Sequence, residues 1–466
     1  MKYEYAHNKV TDIKIAYIGG GSRAWANVLM TDLALESRLS GVVSLYDIDY
    51  EAACENALVG NKTSARSDVA GKWRYEAAKT MAEALIGADF VIISILPGTF
   101  KEMRSDVHAP EKYGIYQPVG DTTGPGGIVR ALRIIPMYVE FAENIKQYCP
   151  NAWVINFTNP MSPCVRTLYE VFPQIKAFGC CHEVFDTQLD VADMLDTFMG
   201  IKGVETHDIK INVMGINHFT WLDKISYQGI DLMPLYAKVA AEHAHDGYER
   251  EENKHWRNSV YRCSNMVKFD LFNRYGIIAA AGNRHLAEFM PPWYLKNPET
   301  VDRWGFALTS VDWREKDRNE VNERRKKLID GEAQIDLAPT GEESVLQIKA
   351  ILGLGDYVTN VNMPNRGQID GMEHGAIVET NAHFSKDSVM PVYAGKLPRN
   401  VFSLIMRHVG NAEAILKAAM TGDKRLAVNA FINDPLVSWI DPEDAQKLFD
   451  EMIENTSAYI PEKWGW

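Results

Sequence analysis

Apolar and polar positions over the first two hundred residues alternate between short β-rich runs and longer helical stretches. The run DIKIAYI at 12–18 predicts a strand ending in Gly19-Gly20-Gly21-Ser22-Arg23-Ala24, and an apolar helical stretch from Trp25 to Leu35 follows. A second strand, Val42-Val43-Ser44-Leu45-Tyr46, closes on Asp47. A helix across 50–66 leads to Trp73-Arg74-Tyr75, and a further helix reaches Ile86. FVIISI at 90–95 predicts another strand, followed by a helix from about Gly127 to Tyr148. The next strand, WVINF at 153–157, is stopped by Asn159-Pro160, and a last apolar stretch reaches Ala177-Phe178. Strands alternating with helices imply a parallel sheet covered on both faces.

Past about residue 200 the pattern changes. IKINVM at 209–214 and FTWL at 219–222 predict antiparallel strands, with mixed helices after them. The charged segment 242–258 reads as a solvated helix face, and 313–343 as an exposed helix or mobile loop. There is no internal repeat. The expected fold is α/β, with a Rossmann-like doubly wound parallel sheet over residues 1–200. A second, α+β unit over 201–466 gives a lactate/malate dehydrogenase-like arrangement.

Composition narrows the partners. The 466 residues are 46% hydrophobic and 24% charged, the balance of a globular protein with a large core. A net charge of -13 argues against nucleic acid or an anionic membrane as partner. No apolar run approaches the roughly 20 residues of a membrane span. The opening MKYEYAHNKV lacks an apolar signal segment. The six cysteines are sparse and include an adjacent pair, which is no disulfide scaffold. The expectation is a cytoplasmic protein with reduced thiols.

Two places carry candidate chemistry. Gly19, Gly21 and Ala24 fit G-x-G-x-x-G/A between a strand and a helix, the turn that lets a backbone approach a pyrophosphate. Ser22 belongs to the same loop, and Asp47 lies where an acidic residue bonds the adenosine ribose, favouring NAD over NADP. The second place is a pair of short motifs, Gly179-Cys180-Cys181-His182 and Gly215-Ile216-Asn217-His218-Phe219. A Cys181 thiolate and a His218 imidazole can hold a divalent metal with open positions, although spacing alone equally allows a buried thiol and a hydrogen-bonded histidine.

Longer motifs decide more. IGGGS at 18–22, Arg104 within MRSDVHAPEKYGIYQPVGDTTGPGGIVRALRIIP and NPMSP at 159–163 occur in order. CCHE at 180–183, GINHF at 215–219 and VNMPNRGQIDGMEHGAIVE at 361–379 follow them. Over nearly its whole length the chain resembles glycoside hydrolase family four, the NAD- and metal-dependent glycosidases. GDTTGPGG and AGNRHLAEFMP look most like its α-galacturonidase branch. The resemblance implies oxidation at C3 of the sugar by NAD, loss of the acidified C2 proton with elimination at C1, water addition, and return of the hydride. This family is an exception to the two-carboxylate rule of glycosidases.

The resemblance also implies roles. Cys181 and His218 become the metal ligands, with Mn²⁺ expected and other divalent transition metals possible. His182 is the candidate to protonate the leaving oxygen. His285 is the candidate C2 base, with Tyr275 behind it and Asn283 unable to serve. Arg104 and Asn159 match substrate-contacting positions, and Arg104, Arg284 or Arg366 could read a uronate carboxylate through paired hydrogen bonds. Asp121, Thr122 and Thr123 could bind sugar hydroxyls or cap a helix. The expected substrate is a small oligosaccharide carrying an α-galacturonide, as in pectin fragments, and the expected assembly a homodimer or homotetramer. A neutral α-glucosidase or α-galactosidase is the nearest alternative. A lactate/malate-type dehydrogenase or an inactive NAD-binding sensor are the alternatives outside the family.

Overall fold

The strand at the centre of the first sheet, β2 (Lys9–Ile18), ends in four consecutive buried residues, and β5 (Phe90–Ile93) is buried throughout. Such runs suit interior strands with helices on both faces. The structure is a computed structural model, and it describes residues 1–4, 7–250 and 258–466. The first half runs β1 (Lys2–Glu4), β2, α1 (Trp25–Leu35), β3 (Leu39–Tyr46), α2 (Tyr50–Ser64), β4 (Lys72–Ala78), α3 (Met81–Leu85) and β5. It continues with α4 (Phe100–His108), α5 (Gly124–Tyr148), β6 (Trp153–Asn156), α6 (Met161–Val171), β7 (Lys176–Gly179) and α7 (Glu183–Met199).

Six of these strands are parallel and lie in the order β4-β3-β2-β5-β6-β7. Read by position along the chain this is 3-2-1-4-5-6, the doubly wound order of dinucleotide-binding sheets. The order reverses between β2 and β5. Two devices set the helix starts nearby: Thr99 and Glu102 form a capping box at α4, and Asp49 caps α2 by accepting from the Ala52 N–H. Helices α4 and α5 are bolted together by Arg133, which donates to both carboxylate oxygens of Asp106 at 2.8 and 2.6 Å.

The second half holds β8 (Ile209–Ile216), β9 (Phe219–Tyr227), β10 (Ile230–Asp231), α8 (Met233–Glu242), α9 (Met266–Tyr275), β11 (Ile278–Ala279) and α10 (Asn283–Phe289). Then come α11 (Pro298–Arg303), α12 (Val311–Asp330), α13 (Ser344–Ile351), β12 (Tyr357–Pro364), β13 (Ile377–Ser385) and β14 (Ser388–Pro391). The chain finishes with α14 (Arg399–Thr421), α15 (Lys424–Ile432) and α16 (Pro442–Asn455). Strands β8 to β11 form a separate antiparallel sheet. Strands β12, β13 and β14 instead extend the first sheet beyond β7, in antiparallel sense. The first sheet therefore draws on both sides of residue 200. The sequence pattern past residue 222 predicts mixed helices and names none of these three strands, whose pairing is with a sheet built far earlier in the chain.

Helix α12 departs from a freely exposed helix. Its Arg325 is buried and donates to the Ala52 carbonyl at 2.7 Å, which fastens the helix to α2. Of the charged stretch 242–258, residues 251–257 lie outside the described residues, and 243–250 form turns and loop rather than helix. Among the described residues no helix is long and apolar enough to cross a membrane.

Candidate active site

Loops leaving β2 and β5 part at the reversal of strand order and leave a crevice at the carboxyl ends of the strands. Gly19 makes its floor: φ is +92°, and a Cβ there would lie 2.0 Å from the Ser94 carbonyl oxygen. Gly21 is pressed against Asp47, whose Oδ2 accepts the Gly21 N–H at 2.8 Å. An added Cβ at Gly21 would stand 2.9 Å from that same oxygen. Asn56 ties the loop down by donating to the carbonyls of Gly20 and Ser22 at 2.7 and 2.9 Å. Ser22 Oγ accepts the Trp25 N–H at 3.1 Å, and Ala24 immediately precedes α1. Gly19, Gly21, Ser22, Ala24 and Asp47 are thus gathered at one helix start.

Two loops meet at a second place. The turn between β8 and β9 presents His218 at φ +61°, in the left-handed region that side chains other than glycine rarely adopt. The loop before α5 presents Asp121 and Thr122. One ligand atom each from Asp121, His218 and His285 lie within 4.8 Å of one another, and the two imidazole centroids are 3.8 Å apart. Thr122 sets the tautomer. Its hydroxyl donates to Asp121 Oδ1 at 2.7 Å, so its oxygen accepts from His218 Nδ1–H at 2.9 Å. That leaves the lone pair of His218 on Nε2, the arrangement by which an outer hydrogen bond prepares a metal-binding histidine.

The electrostatics agree with a cation site. Burial would raise the Asp121 carboxyl, but Arg130, His285 and His218 outweigh it and hold it down at about 2. Burial, then the charge of His285, lowers His218 to about 3, which keeps it neutral. An ionised carboxylate and a neutral imidazole are the protonation states a metal requires. Cys181 stands outside this group of three. Burial, then Glu379 and Glu183, push its thiol well above its ordinary value, while Asn217 opposes the shift as a hydrogen-bond partner. A nearby cation would reverse that shift.

His285 and His182 line one cavity of about 520 Å³, together with Glu183, Asn283 and Arg284. Glu183 faces His285 Nε2 at 3.4 Å and also accepts the Gly282 N–H at 2.6 Å. Burial disfavours a charged His285, but Glu183 and Asp121 overcome it and raise its affinity for a proton. Its Nδ1 is buried without a partner among the described residues, as are Oδ1 of Asn217 and both side-chain polar atoms of Asn283. Buried polar atoms left unpaired in this density point to a polar ligand. Arg284 stacks on Tyr261 at 4.7 Å and donates to Thr309 Oγ1 at 2.8 Å, and among the described residues it has no carboxylate partner.

His182 is half-exposed and lies 3.0 Å from Glu342 Oε1. Its ring also stacks on Trp25, the first residue of α1, joining the glycine loop to the cavity. Desolvation lowers its proton affinity, but the hydrogen bond and charge of Glu342 prevail and raise it to about 9. The stabilisation from this pair is present below the ordinary imidazole value of about 6.5 and is lost as pH climbs through the raised value. Glu342→Gln is expected to bring the His182 titration back toward that ordinary value. An imidazole proton NMR titration checks this, and an unmoved midpoint would refute it.

The remaining sequence candidates are placed as follows. Arg104 is 43% exposed and lies 2.7 Å from Asp312 and 3.2 Å from Glu315 of α12, so its guanidinium is already matched. Asn159 gives its backbone carbonyl to Arg130 at 3.1 Å, precedes a cis proline, and keeps Oδ1 buried and unpaired. Arg366 is exposed. Tyr275 packs edge-on against Trp221 and does not line the cavity. Three carboxyls had no individual role in the sequence reading. Glu183 orients His285, Glu379 accepts from Asn360 at 2.7 Å behind Cys181, and Glu288 accepts the N–H groups of Val119 and Gly120 at 2.7 and 2.9 Å. All three stood inside the long motifs, but their partners are 19 to 169 residues away along the chain.

Two family profiles match the chain. Residues 14–197 match the family 4 glycosyl hydrolase profile, and residues 213–437 match the family 4 glycosyl hydrolase C-terminal domain. The chain belongs to family 4 of the glycosyl hydrolases. An alpha-galacturonidase of Thermoanaerobacterium saccharolyticum is 61% identical over 99% of this chain and 99% of its own length. The crystal structure of lplD from Bacillus subtilis superposes with a TM-score of 0.91 at 51% identity, covering 95% of this chain and 100% of that one. The 6-phospho-beta glucosidase of Thermotoga maritima, solved with manganese, NAD⁺ and glucose-6-phosphate, shares the fold at a TM-score of 0.74 and 21% identity, over 96% and 99% of the two chains.

Proposed function

We propose that this enzyme hydrolyses α-galacturonides, with NAD in the β2–β5 crevice and a divalent metal, Mn²⁺ foremost, beside His218. The observation that carries the acidic-sugar reading is Arg284. It is a half-buried guanidinium in the cavity, next to His285 in sequence. Among the described residues it forms no ion pair, while the cavity's Glu183, Asp186 and Asp190 are paired with His285, Arg250 and Lys268. Guanidinium and carboxylate pair through two parallel hydrogen bonds, so a uronate group is its natural complement. The high identity to an alpha-galacturonidase points the same way.

The donor set fits both groups. Asp121 and His218 are in ligating protonation states, and Cys181 can join them once a cation lowers its thiol. When bound, the nicotinamide supplies reversible hydride exchange and the metal supplies Lewis acidity toward sugar oxygens. The protein's own part is proton handling and orientation. Glu183 holds His285 by Nε2 and leaves Nδ1 bare, which makes Nδ1 the place to receive a proton from the sugar. His182, kept protonated at neutral pH by Glu342, carries a proton that the leaving oxygen can take.

The test is a panel of p-nitrophenyl α-glycosides, with NAD, Mn²⁺ and reductant, on the unaltered enzyme and on Arg284→Gln. The galacturonide should be the preferred substrate of the unaltered enzyme. Losing a hydrogen-bonded charge pair costs about 1.5–3 kcal/mol, so Arg284→Gln should lower kcat/KM for the galacturonide roughly 10- to 100-fold. The α-galactoside should be spared. Turnover of neutral glycosides alone by the unaltered enzyme would refute the substrate assignment.

A further inference from the structure

Three arginines of α12 share one face of the helix, at positions 314, 318 and 325. That face packs against α4 and α2. Two of the three are matched with acceptors. Arg314 donates to the carbonyls of Thr309, Pro118 and Val119 at 3.1, 3.2 and 2.9 Å. Arg325 donates to the Ala52 carbonyl and lies 2.9 Å from Glu55. Arg318, between them, has neither a hydrogen-bond acceptor nor a carboxylate among the described residues.

The surroundings of Arg318 are specific. Its guanidinium lies 5.5 Å from the ring of Phe100, which begins α4 just after the β5 loop. The charged group that acts on it is Arg23 of the glycine loop after β2, whose own guanidinium lies 3.6 Å from Asp49. Half-burial, then the like charge of Arg23, both disfavour its ionised form. A partly desolvated cation with no acceptor of its own is unfavourable unless an anion comes to meet it. Phe100 and Arg23 adjoin the two loops that part at the reversal of strand order, which sets Arg318 beside the crevice.

We infer that Arg318 reaches over from the second half of the chain and, with Arg23, clamps the pyrophosphate of the dinucleotide. This rests on the dinucleotide reading of the crevice. Its consequence is that the cofactor cleft is incomplete without α12, so the second half of the chain contributes to cofactor affinity as well as to the sugar site.

Calorimetric titration with NAD, ADP-ribose and adenosine tests it without recourse to turnover. Arg318→Met should weaken NAD and ADP-ribose roughly 10- to 100-fold, the range for a charge-assisted contact, and leave adenosine within about twofold. Arg318→Lys keeps the charge and loses the fork, so it should fall between the two, and it stands in if the methionine variant does not fold. Unchanged affinity for NAD and ADP-ribose in Arg318→Met, or an equal loss for adenosine, would overturn the clamp alone. Failure of the unaltered enzyme to bind NAD would overturn the dinucleotide reading and the clamp with it.

Discussion

Replacing His218 by glycine is expected to abolish most activity while leaving the fold intact. The imidazole shares its site with Asp121 and His285 and has its Nε2 lone pair directed by Thr122. Even outer-shell partners of a metal typically contribute 10- to 100-fold to affinity, so loss of a direct ligand should weaken Mn²⁺ by at least about 100-fold. Removing one electrostatic stabiliser of developing charge typically costs about 10²- to 10³-fold in kcat, and a comparable loss is expected here. Stability should move the other way or hardly at all. At φ +61° a histidine carries about 1–2 kcal/mol of backbone strain that glycine does not. A large fall in melting temperature together with unchanged Mn²⁺ affinity would show that His218 is structural.

The largest effect on stability is expected from Asp106→Ala. Asp106 and Arg133 are each 1% exposed, and the arginine spends both terminal nitrogens on this one carboxylate. Among the described residues the variant leaves Arg133 the Pro97 carbonyl, at 3.4 Å, as its one hydrogen-bond acceptor, with the charge of Glu102 nearby. Breaking a buried pair by removing one partner typically costs about 3–5 kcal/mol, because the surviving charge is uncompensated. Because α4 and α5 flank the loop that presents Asp121, activity should fall with stability. Urea unfolding measures the loss directly. A change below about 1 kcal/mol would mean that water reaches Arg133 once the carboxylate is gone.

Much of the first half was legible in the chain alone. Strands β2, β3, β5 and β6 were foreshadowed by their apolar runs, β7 only as an apolar stretch and β4 not as a strand, and α1 spans the same residues in the sequence pattern and in the structure. The glycine loop and Asp47 were likewise readable, because a tight turn before a helix imposes residue types at fixed spacing. The antiparallel pair around His218 was visible for the same reason: one hairpin is a local object. The site beyond these loops was readable only as motifs. NPMSP, CCHE and AGNRHLAEFMP marked where chemistry sits without showing which side chains meet.

By itself, then, the sequence determined most strands of the first half, the doubly wound class, the family and the segments that carry the chemistry. Each of these depends on periodicity or on residues close together along the chain. The tertiary structure decided that His218 meets Asp121 and His285, that Glu183 backs His285, that Arg104 is matched by α12 and Arg284 is not, and that α12 brings Arg318 to the crevice. Such contacts join residues 67 or more positions apart. Their partners are chosen by packing and by how each buried charge is compensated, and neither leaves a periodic trace in the chain.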